Sequence, residues 1–383
     1  MDPVPLPSPL PVRHGVNATR LRLPMAGLEA AGTVQEHLVS RFGHVDPDGI
    51  RDRFARGEVV AADGTALTAS TPLGVHEFIW YYRDLPEEEP LPVRHRILHR
   101  DEHLVVIDKP HFLPTTPGGR FVQETALVRL RNELDLDDLV PLHRLDRATA
   151  GVVMFSANPA TRGAYHLLFE RRRARKVYEA VSALPPGLSG RFPDDGSAPS
   201  ASALAAGGAA PGLDRFGSPV LDRFPLTVRS RIRKDKGILR SVVEQVPAAA
   251  SGRAAGAEVR TKRSNLSHAG ANAETHVELL SVGRSAGTLA GAEVAHFRLH
   301  PRTGRTHQLR IHLAALGLGI AFDPFYPDLL DAAPDDLARP LQLLARDLRF
   351  TDPVTGQDRV FTSELQLQER PRESETPGVE GTA

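Results

Sequence analysis

The sequence predicts an α+β fold, on three observations. Short apolar runs bounded by turn-type residues recur along the chain, as Leu104-Val105-Val106-Ile107, Val152-Val153-Met154-Phe155 and Val177-Tyr178-Glu179-Ala180-Val181, and read as buried strands. Helical patterns with recognisable N-caps stand among them, at Thr33-Val34-Gln35-Glu36 and at Asn158-Pro159. At 383 residues the chain is too long for one ordinary core, so two domains are expected.

Residues 1–20 hold five prolines within Met1–Pro11 and read as a disordered lead-in. After the capping box at Thr33, Val34, Leu38 and Phe42 follow at helical spacing. A second helical pattern, Ile50–Arg56, ends at Gly57, a natural C-cap. Glu58–Ala62 is strand-like, and Asp63-Gly64 suits a hairpin turn. Residues 21–85 thus form a small α+β domain with Arg51, Arg53 and Arg56 on and around its second helix. An ordinary solvated face is the simpler account of those charges.

Residues 86–95, with Glu87-Glu88-Glu89 between prolines, form a linker. The main domain spans 96–365 and opens with strands at Ile97-Leu98 and Leu104–Ile107, closed by Asp108-Lys109-Pro110. Glu124–Leu134 has helical periodicity. The helix begun at Asn158-Pro159 runs through Ala164, Leu167 and Leu168, and its last turn is expected to carry Arg171, Arg172, Arg173, Arg175 and Lys176. A helix dipole favours one or two cations there; five exceed capping needs.

Two stretches rich in Gly, Ala, Pro and Ser, 184–219 and 248–271, are low-complexity insertions. Between them the chain regains strand-like alternation around Arg229–Lys234. Thr275–Leu279 and Val294–Leu299 alternate as half-buried strands. Thr306–Leu316 is a helix that Thr306 can cap and Gly317 closes. Residues 366–383 read as a polar, disordered tail.

Lysine plus arginine equal aspartate plus glutamate, 47 each, so any affinity for polyanions must come from local clusters. The absence of cysteine excludes disulfides and thiolate chemistry. No run approaches the roughly 18 apolar residues of a membrane span, and the start lacks a signal-peptide core, so a soluble, cytoplasmic protein is expected.

Two stretches hold the candidate chemistry. In His143-Arg144-Leu145-Asp146-Arg147-Ala148-Thr149-Ala150-Gly151, one aspartate lies between two arginines on a loop between strands. Nearby cations favour a charged carboxylate, suited to act as nucleophile or fixed base; a purely structural Arg–Asp pair is the plainer alternative. The second stretch is Arg302-Thr303-Gly304-Arg305-Thr306-His307-Gln308-Leu309-Arg310-Ile311-His312. His300, His307 and His312 lack the spacing and third ligand of a metalloprotease site, which leaves a metal-dependent hydrolase without support.

Taken together, these segments resemble the RluA-type RNA pseudouridine synthases over about residues 96–365, outside the insertions. Four motifs stand in order: Asp101 to Lys109-Pro110, the His143–Gly151 loop, Lys176-Val177-Tyr178-Glu179-Ala180, and Thr303–Ala314. The resemblance implies a bent, mostly antiparallel mixed sheet with flanking helices, and a reaction that detaches uracil from C1′ of an RNA uridine and rejoins it through C5. It implies no cofactor, no metal, and a monomer acting on structured ribosomal or transfer RNA. It makes Asp146 the essential residue, Tyr178 the tyrosine that stacks near the uracil and helps in proton transfer at C5, and Arg310 the arginine paired with the aspartate. Arg144 matches the residue that displaces the flipped base, while Arg147, Lys176, Arg305, His307, Leu309 and Ile311 fall on the substrate side.

Arg172, Arg173 and Arg175 are the candidate RNA contacts of the main domain. Residues 21–85 more loosely resemble the S4-like RNA-binding module often fused in this family, which would add Arg51 and Arg53. Three departures stand out: Ala150 replaces the usual Ser, Leu344 the usual His, and Ala321 the Gly expected before Asp323. With the insertions, Leu344 motivates an alternative: a catalytically inactive RNA-binding or chaperone paralogue.

Overall fold

The computed structural model describes residues 7–25, 32–44, 46–85, 87–184, 221, 224–234, 240–243, 270–328 and 335–372. The two expected insertions lie outside these residues except at their edges, as does the tail beyond residue 372. The chain divides into two compact units, residues 1–91 with 116–139 and residues 92–115 with 140–383.

In the first unit, strands β1 (Thr19–Arg22), β2 (Val60–Ala61) and β3 (Phe78–Tyr81) form an antiparallel sheet in the order β1-β3-β2. Helix α1 (Val34–Phe42) begins at the expected capping box, with Thr33 and Glu36 each accepting the other's backbone N–H. Helix α2 (Pro47–Ala55) starts three residues earlier than its apolar spacing implies, because Asp46 accepts the Gly49 N–H and Pro47 pre-sets the first turn. Val34, Leu38, Ile50, Phe54, Ile79 and Tyr81 share its core. Helix α3 (Ala126–Leu134), expected in the main domain, groups with this unit.

Three expectations need correction. Residues 7–20 are held in place: buried Arg131 donates to the Gly15 carbonyl and to Asn17, and the Arg13 guanidinium lies 3.9 Å over the Tyr82 ring. The Glu87-Glu88-Glu89 segment is anchored too, since the Glu88 carboxylate accepts the N–H groups of Val122, Gln123 and Glu124. Arg53 is no surface contact but is 7% exposed and paired with Asp84. Arg51 does face solvent, in an ion pair with Asp48.

The second unit is built on a ten-stranded sheet. Its strands are β4 (Arg96–Arg100), β5 (Leu104–Lys109), β6 (Val140–Pro141), β7 (Ala150–Ser156), β8 (Arg175–Ala183), β9 (Leu226–Ser230), β12 (Ala273–Arg284), β13 (Glu293–Pro301), β14 (Leu343–Thr351) and β15 (Asp358–Thr362). The main path runs β4-β5-β7-β14-β8-β13-β12-β9, with β6 on β7 and β15 on β14. Only β7 and β14 pair in parallel; the sheet is otherwise antiparallel. A short hairpin, β10 (Ile232–Arg233) with β11 (Val242–Val243), stands apart.

Strands β5 and β7 are buried along their whole length, which explains why both read as unbroken apolar runs. Helix α4 (Pro159–Glu170) packs Tyr165 and Leu168 against Leu104, Val106, Val152 and Met154. It ends at Glu170, so the basic run 171–176 is not its last turn: Arg171–Ala174 form a turn in which Arg172 has φ +55°, and Arg175 and Lys176 open β8. Residues 366–372, expected in the disordered tail, are tied down. Leu367 is buried, and the buried Glu369 carboxylate accepts from Ser285, Thr288 and Leu289. No described helix is long and apolar enough to cross a membrane.

Candidate active site

Asp146 lies on the loop between β6 and β7, and neighbouring groups hold that loop by its backbone. Thr115 Oγ1 donates to the Leu145 carbonyl at 2.9 Å and accepts the Leu145 N–H at 3.2 Å. Lys109, fully buried at the end of β5, donates through Nζ to the carbonyls of Pro110, Leu113 and Arg147. Burial pushes its ammonium down to about 7, with the Asp146 charge acting in the opposite direction. His143 Nε2 accepts the Met154 N–H at 3.2 Å, and burial holds that ring neutral, down at about 3. Gly151 then lets the chain pass β14: a Cβ there would meet the Ala345 carbonyl oxygen at 2.2 Å, and its φ is +115°.

Around Asp146 the two sequence stretches converge. Arg310 Nη1 lies 3.8 Å, and His307 Nε2 3.7 Å, from Asp146 Oδ2. Tyr178 on β8 is buried, and its phenol is raised by burial and then by the Asp146 charge, so it keeps its proton. Burial takes the His307 imidazole down to about 4, again against the pull of Asp146.

The closest partner of Arg310 is not Asp146. Its Nε and Nη2 hold the Asp323 carboxylate at 2.7 and 2.5 Å, and both side chains are almost wholly buried. Its guanidinium also lies 4.9 Å from the Phe325 ring centroid and 5.5 Å from that of Tyr326. Arg147, expected beside the substrate, forms an ion pair with Asp335. Among the described residues the carboxylate that Arg147 meets is Asp335, and the cationic partners of Asp146 come from the second stretch rather than from the flanking arginines. Arg144 is exposed and has no hydrogen bond or ion pair among the described residues.

Helix α5 (Gln308–Ala315) carries Arg310. It starts two residues later than expected, with His307 at the N-cap in the left-handed region, and Thr306 makes no cap. Leu309 and Ile311 are both buried; Ile311 packs with Tyr326, Ile232 and Ala273. The three histidines do not converge: His312 bonds Ser230 and Thr275, and His300 lies beside Glu278.

An open groove of about 1410 Å³ lies along the start of β8 and the end of β13. Arg172, Arg175, Lys176, Arg298, Arg302 and Arg305 line it, against two carboxylates, Glu274 and Asp347. Arg173 is exposed on the same turn but is not part of the wall.

Sequence reasoning gave no role to Lys109, Thr115, Asp323, Tyr326 or Asp335. The Asp323-Pro324-Phe325-Tyr326-Pro327 run was the available signal, an acid at a turn followed by two aromatics between prolines. Two departures from the family pattern prove to be neighbours. Leu344 pairs with Ala150 across β14 and β7, and both lie in one apolar cluster with Val181, Val294 and Leu367.

A family described as RNA pseudouridylate synthase matches residues 103–315. An uncharacterised RNA pseudouridine synthase from Synechocystis is 33% identical over 141 residues, covering 37% of this chain and 48% of that protein. The chain thus spans about half the length of that relative. The dual-specificity RNA pseudouridine synthase RluA of Salmonella typhi is 26% identical over 278 residues, 72% of this chain and 94% of that protein. Among solved structures, human RNA pseudouridylate synthase domain containing 1 aligns with 72% of this chain and 85% of its own at a TM-score of 0.45 and 18% identity.

Proposed function

The chain belongs to the RNA pseudouridylate synthase family, and from that premise we propose that it isomerises uridines in structured RNA to pseudouridine with Asp146 as its essential residue. The observation that carries the reading is the convergence on the Asp146 carboxylate of Arg310 and His307 from the start of α5 and of Tyr178 from β8, two segments distant from the Asp146 loop in sequence. In the reaction the N1–C1′ bond breaks, the C5–C1′ bond forms, the C5 proton leaves and N1 gains one. No oxidant or leaving group is needed.

Each group then has a task its surroundings suit. Asp146 faces the ribose and base at the centre. Arg310, locked by Asp323, holds positive charge beside it without moving. Tyr178, buried and protonated, offers a ring face to the uracil. Drawing a base out of its stack costs on the order of a few kcal/mol, and a side chain must fill the space left. Arg144, exposed and uncommitted, suits that role. The groove with Arg172, Arg175, Lys176 and Arg305 suits the phosphates of the flanking strand. We place the substrate among ribosomal and transfer RNAs, with Arg51 of the first unit as a further contact.

The inactive-paralogue alternative drew on Leu344. Against it, Leu344 and Ala150 pair within one apolar cluster, and neither makes a contact with Asp146, Arg310 or His307 among the described residues. The test is Asp146→Asn in a deletion strain. We expect unchanged folding and RNA binding but no pseudouridine and no tritium release from 5-tritiated uridine RNA. Normal activity of this variant would refute the assignment, and RNA binding without release by the unmodified protein would favour the inactive reading.

A further inference from the structure

We propose that the His307 imidazole is the base that takes the C5 proton after uracil has rejoined the ribose, an inference that rests on the isomerase reading above. Once C5 is bonded to C1′, the ring holds a C5–H bond and a C6=N1 double bond. The C5–H electron pair becomes the C5=C6 bond, the C6=N1 pair moves onto N1, and N1 gains a proton. Something beside the base must receive the C5 proton.

Few groups around Asp146 can do so. The Arg310 guanidinium has no lone pair to offer. The Lys109 ammonium is fully buried and its three N–H groups are committed to three carbonyls, so it has no lone pair to offer. Tyr178 retains its own proton. Asp146 and His307 are left, and of the two His307 is the one whose second ring nitrogen is anchored, so that its lone pair is held in a fixed direction.

The hydrogen bonds of His307 fix which nitrogen is free. Tyr326 Oη donates to the Ser241 carbonyl at 2.8 Å and accepts the Ser241 N–H at 2.8 Å. With its one proton given to that carbonyl, Tyr326 acts as acceptor in its 3.1 Å contact with His307 Nδ1. Nδ1 therefore bears the hydrogen, and Nε2 presents a lone pair 3.7 Å from Asp146 Oδ2, where it has no donor to bond. Both groups reach the same small volume of substrate. The left-handed backbone at His307, φ +58°, is uncommon for a residue with a side chain, and such strain gathers at active sites.

Charge around the ring fits proton transfer in both directions. Burial keeps the imidazole neutral at pH 7, ready to accept. Once protonated, it stands beside the Asp146 carboxylate, with Asp323 acting the same way, while Arg310 and Lys234 oppose it and favour return of the proton to N1.

Single-turnover rates on RNA carrying 5-protio or 5-deuterio uridine test this directly. For His307→Gln we expect a rate about 100-fold lower, with RNA affinity within about threefold and a larger deuterium effect than the unmodified protein shows. Tyr326→Phe removes the anchor on Nδ1 and is expected to shift both quantities the same way by less. It serves as the second variant if His307→Gln does not fold. A His307→Gln rate within about threefold of normal, or a slow rate with an unchanged deuterium effect, overturns the proposal. No pseudouridine from the unmodified protein would instead refute the isomerase reading beneath it.

Discussion

The Asp323 carboxylate receives two N–H groups of Arg310 and also the backbone N–H of Phe325 and Tyr326. One side chain thus orients the guanidinium beside Asp146 and shapes the loop whose tyrosine holds His307. Leu344 and Ala150 pair across β14 and β7, so the two departures named above meet in one apolar cluster. Leu344→His alone should lower stability by about 2–3 kcal/mol, because it buries an imidazole among Val181, Val294 and Leu367 with no partner. Adding Ala150→Ser should recover part of that loss. Urea titration of both single variants and the double variant measures the coupling, and strict additivity would show that the pair does not interact. Asp146, Tyr178, His307 and Arg310 were legible in the sequence because each sits inside a contiguous motif. Asp323 and Tyr326 were not, because their roles exist only once α5 and the loop after it are folded together.

At the scale of elements, the turn between α4 and β8 concentrates the cations that a zero net charge cannot supply globally. Arg172 and Arg175 face the groove, Arg173 faces solvent, and none has an ion pair among the described residues. Replacing Arg172, Arg173 and Arg175 with Ala should weaken RNA binding and flatten its dependence on salt. The slope of log affinity against log salt should fall by about 0.7–0.9 for each lost phosphate contact. An unchanged slope in a filter-binding titration would leave these arginines merely solvated. The turn itself was misplaced from sequence for a physical reason: cations suit a helix C-terminus as well as the turn after it, and nothing local marks Glu170 as the end. Likewise β14 and β15 gave no clear pattern, since Arg346, Asp347 and Arg349 interrupt the apolar residues of β14.

For the molecule as a whole, the central pairing of β8 with β14 depends on a buried ionic lock. Arg346 and His296 both contact Glu179 Oε2, at 3.0 and 3.3 Å, and Arg346 also donates to the Ser363 and Leu365 carbonyls. Burial acts to raise the Glu179 carboxyl, but the hydrogen bonds from His296 and Arg346 outweigh it and hold it at about 2, below its ordinary 4.5. A carboxyl depressed on folding contributes stability that is present above its unfolded value and is lost as pH falls toward the folded one. The contribution is on the order of 3 kcal/mol, most of it gone by pH 3. Glu179→Gln should therefore be less stable than the unmodified protein at pH 7 and lose less on acidification to pH 3, as urea midpoints at the two values would reveal. Equal losses would place the acid sensitivity elsewhere.

Strand β14 also bears on timing. It lies between β7, which follows the Asp146 loop, and β8, which carries Tyr178, yet it is synthesised long after both. While a ribosome is still making the chain, the two halves of the centre have no strand to join them. Until Leu343 and the residues after it emerge, β7 and β8 cannot take their places on either side of β14, and a nascent chain can present basic residues to RNA before it can act on it.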